Sequence, residues 1–141
     1  MYKIKKMDIK NYLEIINLWK NTDGMGLNNY DDSKKSIKKF IEKNPNTCFV
    51  AEHNNEIIGT ILGGNDGRRG LIYHLAVKPE YRKNGIGKIL LEKTEKGFKK
   101  EGIKIIYLVV FKKNKVGNLF WERNGYEIKN DVNYRRKKIM E

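Results

Sequence analysis

At 141 residues the chain has room for one domain with a real core. Apolar residues at 39% and charged residues at 33% are globular values and exclude a disordered chain, while the single cysteine, Cys48, excludes an internal disulfide. The formal net charge of +13 warns of a polyanionic partner, but the lysines are spread along the chain and not gathered into one block.

In chain order, "YKIKK" reads as a short strand. Asp8 then caps a helix whose apolar residues Tyr12, Ile15, Ile16 and Trp19 recur at helical spacing. "NTDGMGLNNYDD" is a polar loop, and Asp32 or Ser33 starts a second helix through Ile37, Phe40 and Ile41 that stops before Pro45. "TCFVAEH" and "EIIGTILGG" form a hairpin about Asn54-Asn55, and "NDG" turns the chain into the strand "LIYHLAV". The loop "KPEYRKN" leads to a helix from about Gly85 to Lys100, with Ile86, Ile89, Leu90 and Phe98 inward. "IKIIYLVVF" is the most strand-like run, "NKVGNLFWERN" a short helix closed by Gly125, and "YEIK" and "YRRKKIM" two weak final strands. The order βααβββαβαββ predicts an α/β (α+β) fold, a mixed sheet with helices on its faces, in a single domain over residues 1–141. No apolar run approaches the roughly 20 residues of a membrane span. "MYKIKKMDIK" lacks the apolar stretch of a secretion signal, so a reduced cytoplasm is the expected setting.

The stretch "YRKNGIGK", residues 81–88, stands out. It falls between a strand and a helix, where unpaired N–H groups and the positive end of the helix dipole favour an anion. Glycines there let the loop form a nest of N–H groups, although Gly85 and Gly87 could equally just make the turn. It is not a Walker loop, because no hydroxyl follows Lys88. Nor is it a dinucleotide fingerprint, because Leu90 replaces the third glycine.

The segment "LAVKPEYRKNGIGKILLE" resembles the R/Q-x-x-G-x-G/A segment of the GNAT superfamily of acyl-CoA-dependent N-acyltransferases, whose loop amides bind the pyrophosphate of coenzyme A. "NKVGNLFWERNGY", residues 114–126, resembles that family's N-x-x-A-x-x-L-Y-x-x-x-G-F/Y signature, with Gly117 for alanine, Phe120 for leucine and Trp121 for tyrosine. The resemblance implies a mostly antiparallel sheet of about seven strands, splayed at its middle, with about four helices. It implies that Arg82, Lys83, Asn84, Gly85, Ile86, Gly87 and Lys88 hold the diphosphate of acetyl-CoA. It further implies that Leu75, Ala76 and Val77 pair with the pantetheine arm, and that Asn114 meets the arm from the other side. No metal is implied.

The chemistry so implied is amine attack on a thioester, which needs a base for the protonated amine and donors for the oxyanion. The chain departs from its relatives here. Their tyrosine acid falls on Trp121, whose indole cannot give up its proton, and the glutamate base of some falls on Val109. The candidates left for the base are His74, Glu52 and Tyr73. Cys48 alternates into a strand as a small apolar residue. Asp66, Arg68 and Arg69 suit a hairpin turn that could also rim the acceptor site. Asp23, Asp31 and Asp32 hint at a cationic acceptor, although helix capping accounts for two of them. The leading expectation is N-acetyl transfer to a primary amine of a small molecule or peptide. The alternatives are an acyl-CoA binder with little catalysis and, less favoured, a basic nucleic-acid-binding module. The terminal strands leave an edge at which two copies could pair.

Overall fold

The computed structural model describes residues 2–140. Strand β1 (Lys3–Lys6) is followed by a single 3-10 turn (Ile9–Asn11) and the helices α1 (Tyr12–Lys20) and α2 (Lys34–Lys43). Three long strands come next, β2 (Cys48–His53), β3 (Glu56–Asn65) and β4 (Arg69–Val77). A second 3-10 turn (Pro79–Tyr81) leads into α3 (Ile86–Lys100), then β5 (Ile105–Tyr107) and α4 (Lys115–Arg123). The chain forms two compact units, residues 1–111 and 112–141.

In the first unit the five strands lie in sequence order, antiparallel except for the parallel pair β4–β5. The hairpin turn at Asn54-Asn55 has both residues at positive φ, the mirror-image turn that suits strand twist. Asp66 accepts the amides of Arg68 and Arg69 and closes the next turn. Strand alternation sends Cys48, Val50, Leu62 and Ala76 to one face, where they pack with Ile15, Leu18 and Trp19 of α1 and Ile37 of α2. The other face receives α3. A Cβ on Gly59 would meet Leu90 and Ile86, and one on Gly63 would meet Thr94 and Phe98. The buried stripe of α3 runs through Ile86, Leu90, Leu91, Thr94, Gly97 and Phe98. Ile89, expected to point inward, is instead exposed beside Lys93 and Lys96, because it falls off that stripe.

Two expectations about strands need correction. "IKIIYLVVF" pairs only over Ile105–Tyr107, opposite Arg69–Leu71, and the chain then leaves the sheet. The two final strands do not form among the described residues. Ile128, Val132, Tyr134 and Ile139 are exposed, so the apolar residues of this segment have no packed surface to pair against. The sheet therefore has five strands, not about seven. In the second unit, Trp121 packs edge-on against Phe120 and Tyr126, and Gly125 adopts the left-handed conformation that ends α4.

Gly97 lies against the carbonyl of Asn46, so α3 approaches the start of β2 at backbone distance. Alanine there gains about 1 kcal/mol of helix propensity but drives its Cβ into that carbonyl. Gly97→Ala is expected to lose about 1–3 kcal/mol net, seen as a lower urea midpoint at unchanged slope. A raised midpoint would mean that α3 is free to shift.

Candidate active site

Strand β4 has β3 along most of its length but β5 only as far as Leu71. From Ile72 to Val77 its outer edge has no strand neighbour among the described residues. Backbone polar groups on such an edge need partners from elsewhere. Leu75, Ala76 and Val77 lie on it, with Ala76 and Val77 anchored on the inner side to Thr60 and Gly59.

Just beyond Val77 the chain makes the turn that carries the glycine motif. Arg82 Nε donates to the Val77 carbonyl at 3.0 Å, and Asn84 Nδ2 donates to the carbonyls of Tyr81 and Arg82 at 3.0 and 3.2 Å. Both side chains therefore brace the loop. Lys83 and Gly85 have φ of +66° and +76°, and alternation of hand along a turn makes N–H groups converge. The first helical bond of α3 runs from Ile89 to Gly85, which leaves the amides of Ile86, Gly87 and Lys88 without intrahelical acceptors. Ile86 is buried as the pivot, while Lys83 and Lys88 are exposed. Nothing lies within 4 Å of a Cβ placed on Gly85, so the approach to these amides is open.

His74 occupies a bulge. The register of β3 against β4 slips between Thr60 and Leu62, and His74 has φ of +47°. Simple alternation would put Tyr73 and His74 on opposite faces. The bulge sends both toward α1 and α2, with Tyr73 edge-on to Phe40 and the imidazole against Trp19 at 4.6 Å. A positive φ is costly for a side chain with a Cβ, and here the neighbours hold it. Thr60 Oγ1 donates to the His74 carbonyl at 2.9 Å, and Trp19 Nε1 donates to Thr60 Oγ1 at 2.8 Å. The imidazole Nε2 lies 2.7 Å from Asp32 Oδ1. The Asp32 side chain is only 5% exposed and that of His74 12%.

Burial alone would raise the Asp32 carboxyl, but its hydrogen bonds with His74 and the Asn28 amide and the charge of the imidazole outweigh that and hold it below its ordinary value. Burial, helped by the Asp32 charge, raises the Tyr12 phenol, whose hydroxyl donates to the Asp32 carbonyl. Sequence reasoning weighed Asp32 as a helix cap or an acceptor contact and missed its pairing with His74. Ser33 caps α2 instead, accepting the Ser36 amide at 3.2 Å. No local pattern announces a pair 42 residues apart.

The other candidates are placed differently. Glu52 is ion-paired with Lys5 at 2.9 Å and lies two strands from His74, at least about 10 Å across the sheet. Tyr73 is 43% exposed on the α1–α2 face. Burial pushes the Cys48 thiol up to about 12, which leaves it an unreactive core residue. Asn114 spends its Oδ1 on the Gly117 amide at 2.9 Å, capping α4, and its amide N–H groups remain as donors. Trp121 is buried. Among the described residues no three His, Cys, Asp or Glu gather as metal ligands, and no helix is long and apolar enough to cross a membrane.

The sequence pattern of the acetyltransferase (GNAT) family matches residues 12–126. An acetyltransferase of Sodalis glossinidius (strain morsitans) is 34% identical over 128 residues, covering 91% of this chain and 89% of its own. The PaiA N-acetyltransferase of Thermoplasma acidophilum, solved in complex with coenzyme A, superposes with a TM-score of 0.81 at 26% identity, over 94% of this chain and 93% of its own. A GNAT-family acetyltransferase of Staphylococcus aureus Mu50 shares the fold at a TM-score of 0.76 and 23% identity, over 94% and 90% of the two chains.

The Asp32 geometry predicts a pH signature in stability. A carboxyl with a folded-state pKa below its unfolded value, about 3.9, stabilises the fold above that value and loses this contribution as pH falls through the folded one. Asp32→Asn should therefore be less stable than wild type at neutral pH, with the gap narrowing below about pH 4 in urea titrations. A gap independent of pH would contradict a paired Asp32 carboxylate.

Proposed function

Since the chain belongs to the acetyltransferase (GNAT) family, we propose that residues 1–141 act as one N-acetyltransferase domain, moving the acetyl group of acetyl-CoA to a primary amine of a small molecule or peptide by direct attack in a ternary complex. The observation that carries this reading is the edge of β4 at Leu75–Val77, which no strand covers among the described residues, running straight into the N–H turn at the start of α3. The edge at Leu75–Val77 offers backbone donors and acceptors to the amide groups of a pantetheine arm, as an added strand would use them. The amides from Lys83 to Lys88 offer converging donors to a diphosphate, and Lys83 and Lys88 add exposed charge. In this reading His74 is the base that takes a proton from the acceptor ammonium, directly or through water. Backbone N–H at the bulged strand receives the oxyanion. Trp121 supplies no proton, and the thiolate leaves without an acid because a thiol is ordinarily acidic enough to depart unprotonated.

Calorimetry with coenzyme A tests the binding half. Gly85→Val and Gly87→Val should abolish binding by blocking approach to the amides. Lys83→Ala should weaken it by under about 1 kcal/mol, as for an exposed charge. The reverse order would overturn binding through the backbone.

Incubation with acetyl-CoA and a panel of amines, read as a 42-dalton gain (the mass of one added acetyl in place of hydrogen, about 42), tests the transfer half. Turnover of at least one amine is expected. His74→Gln should lower kcat by roughly 10²-fold or more while coenzyme A affinity stays nearly constant. Tight coenzyme A binding with no amine acetylated would replace the enzyme by an acyl-CoA binder.

A further inference from the structure

His74 is held at three points. Its carbonyl accepts from Thr60, its ring lies against Trp19, and its Nε2 meets Asp32 Oδ1. Asp32 divides its two carboxylate oxygens. Oδ1 faces the imidazole, while Oδ2 accepts the Asn28 amide at 3.0 Å. Its backbone is tied on both sides as well, since its amide donates to the Asn28 carbonyl and its carbonyl accepts from the Tyr12 hydroxyl. The carboxylate thus joins the loop between α1 and α2 to a side chain on the central strand, 42 residues away in sequence.

A carboxylate has no proton to donate, so the 2.7 Å contact requires a hydrogen on His74 Nε2. In the neutral ring Nδ1 then carries the lone pair. The His74 side chain is 12% exposed, so part of the ring reaches solvent.

We propose that Asp32 is the positioning residue of the acetyl-transfer site, fixing the His74 tautomer with its Nδ1 lone pair toward the acceptor amine and stabilising the imidazolium that forms. The proposal rests on His74 as the base in the transfer reaction above.

The Nδ1 lone pair takes one proton from the acceptor ammonium, giving a free amine and an imidazolium facing Asp32. The amine lone pair forms a C–N bond to the thioester carbonyl carbon. The C–S bond then breaks, with its electron pair leaving on sulfur. The nitrogen's surplus proton passes to the thiolate or to water, and the imidazolium returns its proton to water. Asp32 stays ionised throughout, as the carboxylate of a serine-protease triad does. Its connection to Asn28 makes the orientation of the base depend on the order of the α1–α2 loop.

The tautomer is tested on folded protein without touching Asp32. The chain has two histidines, so His53→Gln leaves His74 as the only imidazole. Long-range proton–nitrogen NMR above the titration of the ring should show the hydrogen on Nε2. A hydrogen on Nδ1 would overturn the proposal.

Kinetics form the second arm, with acetyl-CoA and the best acceptor among 1,4-diaminobutane, an aminoglycoside and a short peptide with a free N-terminus. Asp32→Asn should lower kcat by roughly 10²- to 10⁴-fold. Its coenzyme A affinity should stay within about twofold, which also reports that it folds. The Asp32→Asn/His74→Gln double variant should be within about threefold of the slower single variant, because the two side chains act as one unit. A slow His74→Gln with a near-normal Asp32→Asn, or multiplicative losses in the double variant, would overturn the role of Asp32 alone. A near-normal His74→Gln would instead overturn His74 as the base, and the proposal with it.

Discussion

Strand β4 has a neighbour on one side for most of its length and on the other for only three residues. This asymmetry governs what the first unit can do. A strand edge with no strand beside it is a liability unless something pairs with it. Here that edge runs from Ile72 to Val77 and continues into the start of α3, where the amides of Ile86, Gly87 and Lys88 lack intrahelical acceptors. Two kinds of backbone demand therefore sit end to end. A ligand with an amide-bearing arm and a diphosphate head meets both at once, and a coenzyme A ester has that form.

The bulge at His74 belongs to the same constraint. An extra residue in β4 changes the alternation, so that Tyr73 and His74 face α1 and α2 together. The positive φ of His74 is unfavourable for a side chain with a Cβ. Its cost is offset by a chain of hydrogen bonds from Trp19 through Thr60 to the His74 carbonyl, and by Asp32 at the ring. Trp19 and Thr60 are fully buried, so the core of the α1–α2 face is also the support of the bulge. The core packing and the support of His74 share residues here, and a substitution at Trp19 would disturb both.

Charge plays a smaller part than composition suggests. The large basic excess is distributed, and several of the acidic groups serve local structure. Asp66 closes a turn, Glu52 pairs with Lys5, and Glu56 pairs with Lys78. Partly exposed pairs of this kind contribute little stability individually. The turn before α3 presents backbone N–H groups, which no change of pH in the ordinary range removes.

Much of this was legible in the sequence, and the boundary has a physical basis. Periodicity and capping residues identified β1 through α3 in order, because those signals are local and strong: Ser33 at a helix start, Asn54-Asn55 between two strands, and Gly85 before an apolar helix. Two spaced motifs carried the family, since loop amides near a helix start require glycines at set positions. The end of the sheet was not legible. "IKIIYLVVF" has the composition of a long strand, but how far it pairs depends on the direction in which β4 and β5 diverge, a tertiary property. The partner of His74 was hidden for the same reason. Asp32 carries an ordinary helix-start signature, and only the packing of α1 and α2 over the bulged strand brings its carboxylate to an imidazole 42 residues away. Sequence by itself determined the elements from β1 to α3 and the glycine turn before α3, because both arise from neighbours along the chain. The tertiary structure decided the open edge and the Asp32–His74 pair, because each exists only between segments that meet after folding.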